Sequence, residues 1–491
     1  MRILKGLLIF ILLSVGLAFG QATSVTQKTA PGFSIDAIDK TVDPCVDFYQ
    51  YACGNWMKNT EIPADQSSWV SFTELYERNL VTQRGILEKA SMDRPARSPI
   101  EQKIGDYYSA CMDEKTADAK GLDPLKAELE HIAAARDKSA LIDAIARTHM
   151  IGGNALFNFY SSSDLHNADQ VIAYIDQGGL TLPDRDYYIK DDPKQVEMRK
   201  HLVDYVTQIL TLTGQPAERA GESAQTVLRI ETALAKAEMD RTQRRDPKNR
   251  DHKTTRDAAV SLAPNFYLTR YFSAVEAPAF SDLNVNNPDF FKQVNGVLES
   301  ESLDALKTYV SWHLLDSAAP WLSKPYVDAN FKMQQHLTGQ SEIQARWKRC
   351  VDATDGALGE ALGQKYVEET FGADGKQRML KMVDALETSL DQDIRDLAWM
   401  TEDTKKQAKV KLQAIRNKIG YPDVWRDYSS LTIARGDLLG NFLREATVSQ
   451  IATSNSTGIA PETALKIGCC QGVKFMQPCA LLGLGVLLRL R

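Results

Sequence analysis

Seven histidines are the first candidates for chemistry in this chain: His131, His149, His166, His201, His252, His313 and His336. A helical zinc hydrolase needs two imidazoles four residues apart with a glutamate beside them. That spacing turns both rings to one helix face and sets a carboxylate against the metal-bound water. No two of these histidines stand four apart. Glu130 with His131, and His313 with Asp316, come nearest to acid–base pairs, and each reads as an ordinary helix-surface pair. The sequence also holds no Gly-x-Ser-x-Gly, no glycine-rich loop ending in Lys-Ser or Lys-Thr, and no Cys-x-x-Cys. Residue chemistry therefore assigns no catalytic residue, no metal ligand and no cofactor to this chain.

The cysteines are the next reactive set. Cys45, Cys53, Cys111 and Cys350 sit in the body, whereas Cys469, Cys470 and Cys479 crowd the end. Adjacent Cys469 and Cys470 lack nearby histidine or carboxylate ligands, so they make a poor metal site. An odd number of cysteines in an exported protein leaves at least one thiol unpaired or paired outside the chain. Cys45 and Cys53 are eight apart, and on one helix their sulfurs would lie about 12 Å apart along the axis, too far to join. Each then needs a distant partner. Around them Phe48, Tyr49, Tyr51 and Trp56 read as core aromatics.

The elements that must position these residues are mostly helical. At 491 residues the chain exceeds what one core holds, and its 43% hydrophobic and 25% charged residues are ordinary for a globular protein. A formal charge of -6 gives no reason to expect nucleic acid. Arg2 and Lys5, the apolar run Leu7 to Leu17, and Ala18-Phe19-Gly20 read as an export signal whose apolar run is short for a bilayer span, with a retained membrane anchor as the alternative. Residues 1–20 are read as that signal, 21–31 as a loose segment, and the product as exported to the periplasm or outside, with no stable membrane span.

Asp192-Pro193 predicts a helix start, with Met198, Leu202, Tyr205, Ile209 and Leu212 on its apolar face and Gly214 as its stop. Asp374 opens a second, with Met379, Met382, Val383, Leu386, Leu390, Ile394 and Leu397 on one stripe. Thr401 opens a third that buries Ala408, Leu412, Ile415 and Ile419 and ends at Gly420 and Pro422. Ala155 to Tyr160 and Val171 to Ile175 predict a β-hairpin with a long turn. From Val448 charges thin out, and Ala480 to Leu488 is nearly pure Leu, Gly and Val. Residues 448–491 are read as a foreign, poorly ordered tail.

The run Asp43-Pro44-Cys45-Val46-Asp47-Phe48-Tyr49-Gln50-Tyr51-Ala52-Cys53-Gly54-Asn55-Trp56 resembles a signature of the neprilysin and endothelin-converting-enzyme family of zinc endopeptidases. The resemblance continues at Ile62-Pro63, around Cys111, along Gln177 to Tyr188, and at Arg244-Arg245-Asp246. It takes in Arg346-Trp347-Lys348-Arg349-Cys350 and Lys418 to Pro422, and spans residues 32–447.

It implies a mainly α fold: the multi-helix lid and linking lobe of a neprilysin-like peptidase, with a small β-hairpin. It also implies a Cys111–Cys350 disulfide, a closure worth on the order of 5 kcal/mol. The family partners of Cys45 and Cys53 belong to a thermolysin-like catalytic lobe that is absent here. The family's cofactor is zinc and its substrates are peptides, but its His-Glu-x-x-His and third ligand follow the point where the resemblance stops. The position of the family's substrate-touching arginine is Ser68. The reading is thus the lid region of a secreted zinc endopeptidase, inactive alone. The alternative is a non-catalytic helical module that binds peptides or proteins.

Overall fold

The computed structural model of the chain describes residues 34–455. They fall into two compact units, divided after Glu61. The export signal, the loose segment before Gly32, and Cys469, Cys470 and Cys479 lie outside the described residues.

In the first unit the helix Phe48–Asn59 starts on Asp47, whose carboxylate accepts the Gln50 N–H. Asp39 accepts from Lys58 Nζ at 2.7 Å and from Thr41 Oγ1 at 2.5 Å. Asn55 ties the helix to the Ile38 carbonyl at 2.7 Å. Two expectations fail here. Cys45 precedes the helix rather than riding on it, because Asp43 turns the chain by accepting the Cys45 N–H. Phe48 and Tyr49, expected in a core, are 69% and 67% exposed on the first turn.

The second unit holds two hydrophobic cores. One is built between Leu125 and Met333, with Leu439 added. The other joins Leu80 to Cys111 with Cys350 to Leu438. The first core is thus nested between the two halves of the second. It packs the helices Lys138–Met150, Pro193–Leu212, Ala217–Ala237, Pro288–Ser300 and Leu303–Ala318 around aromatic rings. Phe157 meets Phe266 and Tyr271 edge-on at 4.8 and 4.9 Å. The second core packs Ser71–Ser91 and Pro99–Met112 against Arg346–Thr370.

The hairpin forms β1 (Phe157–Ser163) and β2 (Val171–Gln177), paired antiparallel with Phe157 opposite Gln177. Two further strands were not expected: β3 (Lys253–Thr255) and β4 (Asp282–Val285), in the order β1-β2-β4-β3 with β4 parallel to β2. They are three and four residues long, too short to show a period of two.

The helix Pro193–Leu212 starts where expected, its Asp192 carboxylate accepting the Gln195 N–H, and Gly214 follows it with φ +97°. The helix Gly372–Asp396 begins two residues before Asp374 and buries Val383 and Ile394 only. Met382, Leu386 and Leu390, expected to be covered, are exposed. Thr401 caps Glu402–Gln413, but that helix buries none of its residues and stops well short of Ile419. There the Ala414 N–H is shared between Val410 and Lys411, and the Ile415 N–H reaches only Leu412, so the coil tightens and ends. The helix Leu438–Asn455 runs across the change in composition at Val448.

Candidate functional site

The segment that leads into the helix Ser71–Ser91 is pinned from three sides. Lys348 Nζ lies 2.8 Å from Asp65 and 2.8 Å from Glu77, and Gln66 donates to Glu77 at 2.9 Å. Burial works against the Lys348 charge, but the bonds to Asp65 and Glu77 outweigh it and raise the lysine's pKa. The Ala64 carbonyl accepts from the N–H of Ser341 at 3.1 Å, from that of Glu342 at 2.9 Å, and from Ser341 Oγ at 3.0 Å. Cys350, two residues beyond Lys348, is bonded to Cys111, and Arg346 Nε donates to the Cys111 carbonyl at 2.8 Å. The loop, the disulfide and the start of Arg346–Thr370 therefore form one assembly. Ile62, Val70 and Phe72 remain exposed along it.

A second assembly lies under Gln177 to Tyr188. Glu231 has no exposed surface. Its carboxylate accepts from Tyr188 Oη at 2.5 Å and from Thr181 Oγ1 at 2.6 Å, while Trp312 Nε1 donates to Thr181 at 2.8 Å. His313 Nε2 is 3.1 Å from Glu231 Oε1 but out of line for a hydrogen bond. Burial, reinforced by the Glu231 charge, drives the Tyr188 hydroxyl well above its usual pKa, so it stays a donor. Tyr309 Oη accepts the Leu156 N–H at 2.9 Å and donates to Gly179 O at 2.8 Å. Gly179 has φ +78°, and a Cβ there would sit 2.4 Å from that hydroxyl, so only glycine fits. Asp316 is paired with Tyr205 Oη at 2.8 Å, and burial pushes its carboxyl up to about 6.

The expected surface pair of His313 with Asp316 is therefore corrected. His313 is buried, and its nearest carboxylate belongs to Glu231 on another helix. Sequence reading missed Glu231, although a signal existed: it is a carboxylate amid the apolar stripe Val227, Ile230 and Leu234. Glu130 and His131 stay on an exposed surface. His149 is buried, its ring bonded to Tyr271 Oη and the Ala155 carbonyl at 2.7 Å each, and desolvation lowers its pKa to about 4. His166 meets Asp251, and His201 stacks on His336. Cys45 and Cys53 are free thiols, one exposed and one half-buried.

A zinc ion does not fit these donors. Among the described residues no three His, Cys, Asp or Glu side chains converge to hold a metal. The buried imidazoles of His149 and His313 face a tyrosine, a carbonyl and a single carboxylate, which is hydrogen-bond chemistry rather than a ligand set. No described helix is long and apolar enough to cross a membrane.

Comparison with known proteins agrees with the architecture. The profile of peptidase family M13 matches residues 44–422. Endothelin-converting enzyme 1 of Bos taurus is 31% identical over 409 residues, covering 81% of this chain and 54% of the relative. Neprilysin-3 of Drosophila melanogaster is 27% identical over 410 residues, covering 79% and 52%. Among solved structures, the Mycobacterium tuberculosis zinc metalloprotease ZMP1 in complex with an inhibitor superposes with a TM-score of 0.81 at 29% identity. It covers 87% of this chain and 64% of that one. The chain spans about half the length of the curated relatives it matches.

Proposed function

Because the chain belongs to peptidase family M13, we propose that it forms the peptide-enclosing lid and linking lobe of a secreted zinc endopeptidase and hydrolyses no peptide bond by itself. One observation carries this reading: the family M13 profile matches residues 44–422, and no two histidines of the sequence stand at the four-residue spacing of a His-Glu-x-x-His zinc motif. Metal-assisted hydrolysis generates its nucleophile by lowering the pKa of a bound water, and among the described residues no three His, Cys, Asp or Glu side chains converge to hold such a metal.

The role left to this lobe is positional. Its loop around Ala64, pinned by Lys348, would present the exposed side chains of Ile62, Val70 and Phe72 to a peptide. Cys45 and Cys53 are proposed to pair with cysteines of the catalytic lobe, which explains two free thiols in an exported protein.

The purified chain, supplied with zinc and an internally quenched peptide, is expected to show no cleavage above buffer. Cleavage that a chelator abolishes would overturn the proposal. The alternative, a non-catalytic peptide-binding module, draws support from the two closed cores and the disulfide, which give the second unit a fold of its own. Saturable anisotropy of a labelled peptide, with no turnover, would favour that alternative.

A further inference from the structure

His201 and His336 belong to two packed helices, Pro193–Leu212 and Lys324–Thr338. Their rings lie face to face, with centroids 3.5 Å apart and planes within 8°. Two neutral imidazoles stack in this way without penalty, whereas two imidazolium ions at that distance repel, with water screening part of the repulsion because His336 is exposed and His201 half-buried. The charged groups around the pair do not cancel that repulsion. Glu197 stands 3.8 Å from His201 Nε2, and Asp204 adds a weaker attraction. Lys332, one turn before His336, adds positive charge on the same side. Partial desolvation beneath the stacked ring, the neighbouring His201 and Lys332 together lower the pKa of His336, although its outer edge is exposed.

The contact leads somewhere. Gln335, next to His336, donates from Nε2 to the Ser341 carbonyl at 2.8 Å. Its own carbonyl accepts the N–H of Gly339, which closes the helix. Ser341 and Glu342 in turn donate their N–H groups to Ala64 O, the bonds that hold the loop carrying Ile62 and Val70.

We propose that the His201–His336 stack is a proton-operated latch: it is closed when at least one ring is neutral, and double protonation loosens the end of Lys324–Thr338 and the Ser341 and Glu342 bonds to Ala64, while Lys348 still holds Asp65 and Glu77. The sign follows from linkage. A histidine whose folded pKa is depressed binds protons better once the contact opens, so closure weakens as pH falls through the window below the ordinary imidazole value. This inference does not rest on the lid assignment. It concerns the chain's own ordering and stands whether or not the lobe encloses peptides.

Amide exchange at Ser341 and Glu342, corrected for intrinsic rates, tests it at about pH 7.5 and about pH 5.5, either side of the ordinary imidazole pKa. The natural chain should lose protection at these two amides by about threefold or more on acidification. His336→Gln and His201→Gln, which keep a neutral side chain of similar reach, should hold protection nearly constant. No loss in the natural chain, or an equal loss in both variants, overturns the latch. So does loss of protection on adding a chelator at the higher pH, which would make the pair a metal ligand instead.

Discussion

Glu231 shows what a single buried carboxylate requires. It is stripped of water and kept by hydrogen bonds from a tyrosine and a threonine on different stretches of chain, with His313 Nε2 3.1 Å away. Removing one partner leaves the others unmet. Tyr188→Phe strands the Leu182 N–H and one carboxylate oxygen together, so it should lower stability by about 1–3 kcal/mol, read as a drop in urea midpoint at unchanged slope. Asp316 offers a test with a definite sign. Its folded pKa of about 6 lies above the ordinary carboxylate value, so the fold favours the protonated form and loses stability as pH rises from about 4 through 6. Asp316→Asn cannot ionise. Relative to the natural chain it should gain stability between about pH 4 and pH 7, by up to about 3 kcal/mol. Urea titrations at both pH values check this, and parallel curves for the two proteins would contradict it.

Among the elements, the helix Gly372–Asp396 has an apolar stripe that its own neighbours leave half uncovered. Val383 and Ile394 face inward while Met382, Leu386 and Leu390 face water. Leu386→Lys combined with Leu390→Lys should therefore change the unfolding free energy from urea titration by less than about 0.5 kcal/mol and lower any self-association seen in light scattering. Ile394→Ala should cost about 2 kcal/mol or more.

Helix starts were legible in the sequence because a cap is a local signal: Asp192 and Thr401 each accept the backbone N–H three residues on. Helix ends and burial were less legible. They depend on what packs against a face, and nothing in the period of Leu386 and Leu390 says whether a partner is at hand. β3 and β4 were invisible for a related reason, since a strand of three or four residues is specified by its neighbour in the sheet. For the candidate site, the absence of a zinc motif was plain from spacing. The burial of His313 was not, because its partner Glu231 lies 82 positions earlier in the sequence.

At the scale of the molecule, the Cys111–Cys350 bond closes a separation of 239 residues. In the chain-entropy account such a closure contributes on the order of 5 kcal/mol. Cys111→Ser with Cys350→Ser should bring a correspondingly large fall in thermal midpoint, visible by calorimetry and matched by reduction of the natural chain. The nesting of one core inside the other sets an order of events for a polypeptide that emerges from its N-terminus. The helices Ser71–Ser91 and Pro99–Met112 emerge early, yet their packing partner Arg346–Thr370 follows more than two hundred positions later. The inner core, contiguous in sequence from Leu125 to Met333 apart from Leu439, has nearly all of its buried residues by Met333. It can fold while the earlier helices still wait, which leaves Leu80, Leu87 and Ile104 without cover and Cys111 reduced until Cys350 arrives. These early helices are thus the last of the second unit to be secured, and a holding chaperone or a thiol oxidase would find its work there.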